Sequence, residues 1–310
     1  MNTRRMFVAL VTLITHSSFG IDLPAPPDTR AIAALVRRPD QPCNAAEFFL
    51  KAEEAFRPDL KNASGDRTVI AKDHPAFGLV QKGLTCARCE FPYSKEMTIP
   101  PTDQLIPMAG LYWAVAGRLT LDGRDMLDQK NFDQARELFS KTVSLGLLLY
   151  EEPGITFIQD LISLRVIAEG AKGLGDLAIA EENKDAAGTC AAFVEQSQAY
   201  TEGISRFIRE QLTYEALLRN PDSQSAHIRE LVDRYKKVSN PKVRLEIMLF
   251  AGLARPLMTD PDAIRELDAL VAESLRDPDV RFQRLGAWIR DLDIESAREQ
   301  LQEMTGSTLP

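Results

Sequence analysis

Asn220–Leu253 reads NPDSQSAHIRELVDRYKKVSNPKVRLEIMLFAGL, and Asp260–Leu292 reads DPDAIRELDALVAESLRDPDVRFQRLGAWIRDL. The second stretch repeats the first. Each opens Asn/Asp-Pro-Asp, carries Ile-Arg-Glu-Leu (Ile228–Leu231, Ile264–Leu267) and continues with Asn/Asp-Pro-x-Val-Arg (Asn240–Arg244, Asp277–Arg281). Asp260 and Asp277 stand where a side-chain oxygen caps a helix N-terminus. Pro261 and Pro278 follow at the first helical position, where no amide donor is missed. Ile264, Leu267, Leu270, Val271 and Leu275 form one helical stripe; Val280, Leu285, Trp288, Ile289 and Leu292 form a second. Two helices joined at Arg276–Asp279 cannot bury both stripes alone, so copies must stack. The expected fold is all-α: stacked helical hairpins forming a solenoid-like superhelix.

The pattern resembles HEAT-like repeats, whose second helix often begins Asp-Pro-x-Val-Arg. The resemblance covers about a quarter of the chain. It implies a protein or peptide partner held along a curved face, although some family members sit inside enzymes.

The chain has 310 residues, 45% of them hydrophobic, with a formal net charge of −8. It is long enough for one large core or two smaller ones. An acidic chain without clustered basic residues is a poor match for a polyanion, so no nucleic-acid partner is expected. Met1–Gly20 reads as a signal peptide. Arg4 and Arg5 supply its positive end, Met6–Ile14 its apolar run and Ser18-Phe19-Gly20 a small-x-small cleavage site. Thr3-Arg4-Arg5-Met6-Phe7 also resembles a twin-arginine signal; the short n-region and strongly apolar run favour the general secretory route. No cysteine follows, so no lipid anchor and no stable membrane anchor is expected once the leader is cleaved. Residues 21–42 form a proline-rich linker with one helical turn at Thr29–Arg37, residues 43–218 a TPR-like helical region, and residues 219–310 the HEAT-like repeats. The expected location is exported, periplasmic or secreted. Asn62-Ala63-Ser64 matches a glycosylation sequon.

Asn44 is a good N-cap for a helix over Ala45–Phe56, with Phe48, Phe49, Ala52 and Phe56 on one face and Pro58 ending it. Pro75 opens a second helix through about Thr85. Cys86-Ala87-Arg88-Cys89 follows. A redox pair needs a thiolate stabilised at a helix N-terminus, whereas Cys86 comes after a helix, where the dipole has the wrong sign. Glu90 stands where covalent haem attachment needs histidine. A zinc site from Cys43, Cys86, Cys89 and Cys190 is conceivable, but an oxidising compartment favours disulfides. An antiparallel hairpin brings Cys43, ahead of the first helix, close to both Cys86 and Cys89, beyond the second. Cys89, farther from the helix, is the preferred partner, with Cys190 left as a buried thiol or paired with the remaining cysteine.

In Leu119–Leu147, Gly123, Ala135 and Phe139 fall at the offsets of the small and aromatic packing residues of a tetratricopeptide repeat, with the turn at Asn131-Phe132-Asp133. This resembles one TPR unit, departing from it at Asp122, Met126, Thr142 and Leu147. Leu174, Gly175 and Ala187 give a fainter second copy. Gly170, Gly173 and Gly175 lack the order and preceding strand of a dinucleotide loop, so close helix packing explains them. His74 and His227 stand in no metal-ligand spacing, and neither a cofactor nor a catalytic constellation is expected. Binding or scaffolding of a protein or peptide is the expected function. The alternatives are an enzyme, for instance a hydrolase with a site in the concave surface, or a thiol-redox or metal module built on Cys86 and Cys89.

Overall fold

A computed structural model describes residues 25–37, 39–60, 69–91, 107–151, 157–211, 224–239 and 241–296. The leader, the Asn62 sequon and the Asn220-Pro221-Asp222 opening of the first copy lie outside them. The described chain is mostly helical. The first turn of the linker becomes α1 (Thr29–Ala33), capped by Asp28, and seats Ile32 and Val36 in the main apolar cluster.

Strand β1 (Gln41–Asn44) leads into α2 (Ala45–Leu60), which packs on α3 (Pro75–Gly83). Asn44 Oδ1 accepts from the Ala46 amide at 3.2 Å, as its capping position requires. Pro58 does not end α2. It lies in the last turn, where its missing donor costs a single ladder bond close to where the carbonyls leave the ladder anyway. The chain reverses at Leu84-Thr85 into β2 (Cys86–Arg88), which runs parallel to β1. This short ladder was not expected. It forms because the chain entering α2 and the chain leaving α3 meet at the same end of the hairpin.

Two longer hairpins follow: α4 (Pro107–Asp128) with α5 (Phe132–Glu151), then α6 (Phe157–Ala180) with α7 (Lys184–Gln211). Their turns are built alike. Lys130 and Glu182 take left-handed φ values of 58° and 59°, and the Asn131 and Asn183 amides bond back to the Met126 and Ala178 carbonyls, both at 2.8 Å. The same asparagines then cap the next helix, through Gln134 N and Ala186 N. Gly123 and Gly175, like Ala135 and Ala187, recur at the same offset as the turns. The offset is longer than the TPR period of 34 residues, because both hairpins use longer helices. A Cβ on Gly173 would meet Phe139 Cδ1 at 2.3 Å, and one on Gly123 would meet Phe139 Cε1 at 2.5 Å. Both glycines therefore exist to let one ring wedge between three helices.

The two sequence copies are α8 (Gln224–Lys237) with α9 (Pro241–Ala254), and α10 (Pro261–Ser274) with α11 (Val280–Arg290). First helix lies on first helix and second on second, α8 on α10 and α9 on α11. Asp260 caps α10 as expected, accepting from Asp262 N at 2.8 Å. At α11 the expectation fails: Asp279, not Asp277, is the cap, and Pro278 precedes the helix. Asp277 Oδ1 is occupied by the Asp279 amide in an Asx turn at 2.9 Å, and this delays the helix start.

Candidate functional site

Apolar residues recur all around α9, and Val243, Leu245, Ile247, Met248, Leu249, Phe250, Ala251 and Ala254 are all buried. A helix apolar on every side belongs in an interior. Its neighbours are α8, α11 and, from the preceding hairpins, α6. One face of α9 is therefore covered by the chain's own α6. Trp288 on α11 is 8% exposed and packs beside Gly252 of α9.

Between the two copies Arg244 acts as a rivet. Its guanidinium lies 4.4 Å from the Tyr235 ring centre and 4.6 Å from that of Phe282. It donates to Tyr235 Oη at 2.7 Å and pairs with Asp277 Oδ2 at 3.3 Å. The Arg of one copy thus holds the Asp of the next.

Part of another surface stays exposed, although Ile70 and Lys72 cover α4 at Ala114, Arg118 and Asp122. The outward faces of α4 and α6 adjoin, and the Arg165 guanidinium of α6 lies 4.8 Å from the ring centre of Trp113 on α4. Leu121 on α4 is 44% exposed and Ile179 on α6 is 68% exposed. Arg124, Lys172, Asp125 and Asp176 stand exposed on the same helices, so the surface mixes charges of both signs with apolar side chains. A shallow groove of about 590 Å³ runs along α8, lined by Ala226, Arg229, Glu230, Asp233, Arg234 and Lys237. Its charges largely answer one another: Arg229 faces Asp262 and Glu266 at 3.7 Å each, and Arg234 faces Glu230 at 3.3 Å.

The cysteines resolve as follows. Cys43 and Cys86 form a disulfide, with Cα atoms 4.8 Å apart. Cys89 and Cys190 are buried thiols. The preference for Cys89 as partner of Cys43 was therefore wrong. The parallel ladder pairs Gln41 with Cys86 and Asn44 with Arg88, with an irregularity between the two pairs, and Cys86 comes to lie alongside Cys43 while Cys89 lies beyond the end of the strand. Burial pushes the Cys190 thiol up to about 11, which suits an inert packing residue against Gly175. Among the described residues no group of three His, Cys, Asp or Glu side chains is placed to hold a metal ion.

His74 has a structural role. Its Nδ1 accepts from Ala76 N at 3.1 Å, capping α3, and its ring meets Phe56 edge-on at 5.8 Å. The His227 side chain lies outside the described residues. Two features had no sequence signal: Asp160, 2% exposed in the first turn of α6, and Tyr150, whose hydroxyl is pushed up to about 12 by burial and then by the charge of Asp160. No helix among the described residues is long and apolar enough to cross a membrane. No family model, curated protein or solved structure matches this chain, so its repeats rest on its own internal geometry.

Proposed function

We propose that the chain is an exported helical-repeat protein, its hairpins stacked as a solenoid-like superhelix, that binds a protein or peptide segment across the joined outer faces of α4 and α6. The carrying observation is the Trp113–Arg165 pair, with the exposed Leu121 and Ile179 farther along the same two helices. Trp and Arg dominate the binding energy of protein interfaces, and a rim of charges around apolar side chains is the usual anatomy of such a surface. The disulfide and the twin-arginine or secretory leader support a role outside the reducing cytoplasm.

Photo-crosslinking residues placed at Leu121 and Ile179 test the reading in cells. Both positions are expected to trap the same partner, and Trp113→Ala is expected to abolish the product. Equal labelling from Ala272, exposed on α10, or none from either face position, would overturn it. Export is tested separately by fractionation and N-terminal sequencing, with a mature chain beginning at Ile21 expected outside the cytoplasm. An uncleaved cytoplasmic chain would refute that part.

A further inference from the structure

The binding surface makes no use of the Cys-x-x-Cys motif, yet the fold gathers three of the four cysteines at one corner. The ladder pairs Gln41 with Cys86 and Asn44 with Arg88, so β1 runs beside the whole of β2. Beyond Arg88 the Asn44 side chain clasps the backbone of Glu90: Nδ2 donates to its carbonyl at 2.8 Å, and Oδ1 accepts from its amide at 2.8 Å. Cys89 is therefore held between two residues that are each anchored to Asn44, the immediate neighbour of Cys43. A strand spacing of about 4.8 Å and a rise of about 3.3 Å per residue place its Cα within roughly 8 Å of that of Cys43. A disulfide needs roughly 4.4–6.8 Å, so a backbone shift of about 2 Å closes the difference. Cys86 and Cys89 lie in the same buried apolar cluster, with Cys43 packed against it.

We infer that Cys43, Cys86 and Cys89 form a thiol–disulfide exchange site in which Cys43 is bonded alternately to Cys86 and to Cys89. The Cys89 thiol loses its proton and the thiolate attacks Cys43 Sγ. The Cys43–Cys89 bond forms as the Cys43–Cys86 bond breaks, and Cys86 leaves as a thiolate that takes up a proton. One disulfide and one thiol stand on each side of the reaction, so no external oxidant or reductant is consumed. The exchange moves the staple from the Gln41 end of the ladder to the end clasped by Asn44. The α2–α3 hairpin stays covalently closed in both isomers, because Cys43 lies ahead of α2 and both partners lie beyond α3.

Cys86→Ser in the full chain, purified oxidised, tests this by thiol trapping under denaturing conditions and peptide mapping. Most chains are expected to carry a Cys43–Cys89 disulfide. Alkylation of both Cys43 and Cys89, or bridging of Cys43 to Cys190 or to a second chain, would overturn the inference. Should the variant fail to fold, the wild-type chain decides. Folded protein held oxidised and then acid-quenched is expected to give both Cys43–Cys86 and Cys43–Cys89 peptides. Recovery of Cys43–Cys86 alone, however long the incubation, would refute the exchange.

Discussion

At the scale of single residues, Phe139 shows how a small side chain on one helix is set by a large one on another. Gly123 and Gly173 approach its ring so closely that an added methyl group has nowhere to go. Gly173→Ala is expected to destabilise the fold by about 1–3 kcal/mol through overpacking, although alanine is the better helix former and would stabilise an exposed site. Urea denaturation measures which effect wins; a stabilised variant would mean the ring moves aside freely. Trp288→Ala is the opposite change. It empties a buried site beside Gly252 and is expected to cost about 3–5 kcal/mol, read in the same way. The spacing of Gly123, Ala135 and Phe139 was legible because all three lie within one hairpin. That Gly173 completes the site was not, since it arrives from the next one.

At the scale of elements, the helix boundaries follow local hydrogen-bond chemistry. Asp260→Ala removes the cap of α10 and is expected to lower stability by about 1 kcal/mol. At α11, Asp279 both caps the helix and accepts from the Arg281 guanidinium, and this hydrogen bond is the main reason its carboxyl sits below its ordinary value of 3.8. Its folded pKa is thus depressed, so its contribution is complete above the unfolded value and is lost as pH falls through the folded one. Asp279→Asn keeps the cap but removes the charge. Its stability deficit is expected to be present at pH 6 and to shrink as the solution is taken below about pH 4. A deficit independent of pH would show that the Arg281 pair contributes nothing. Asp277 illustrates where local reading fails. Its sequence position suits a cap, but its two carboxylate oxygens go to the Asp279 amide and to Arg244 of the other copy.

At the scale of the molecule, α9 joins the two kinds of hairpin. One apolar cluster runs from Phe139 through Tyr200 and Phe250 to Trp288, so the helices on either side of α9 share an interior. A single cooperative unfolding transition is expected by calorimetry, and two separated transitions would count against it. Reducing the Cys43–Cys86 bridge, whose cysteines lie 43 residues apart, is expected to remove about 4 kcal/mol in the chain-entropy model. The sequence by itself determined the helices, the Asn44 and Asp260 caps and the recurrence of the hairpins. Each of these depends on residues within a turn or two of one another, where periodicity and side-chain chemistry are local. Tertiary structure alone decided that Cys86 rather than Cys89 bonds Cys43, that α9 is covered by α6, and that Arg165 lies over Trp113. Those outcomes depend on strand register and helix packing between residues far apart in the chain, and a shift of one residue in register changes which side chains meet.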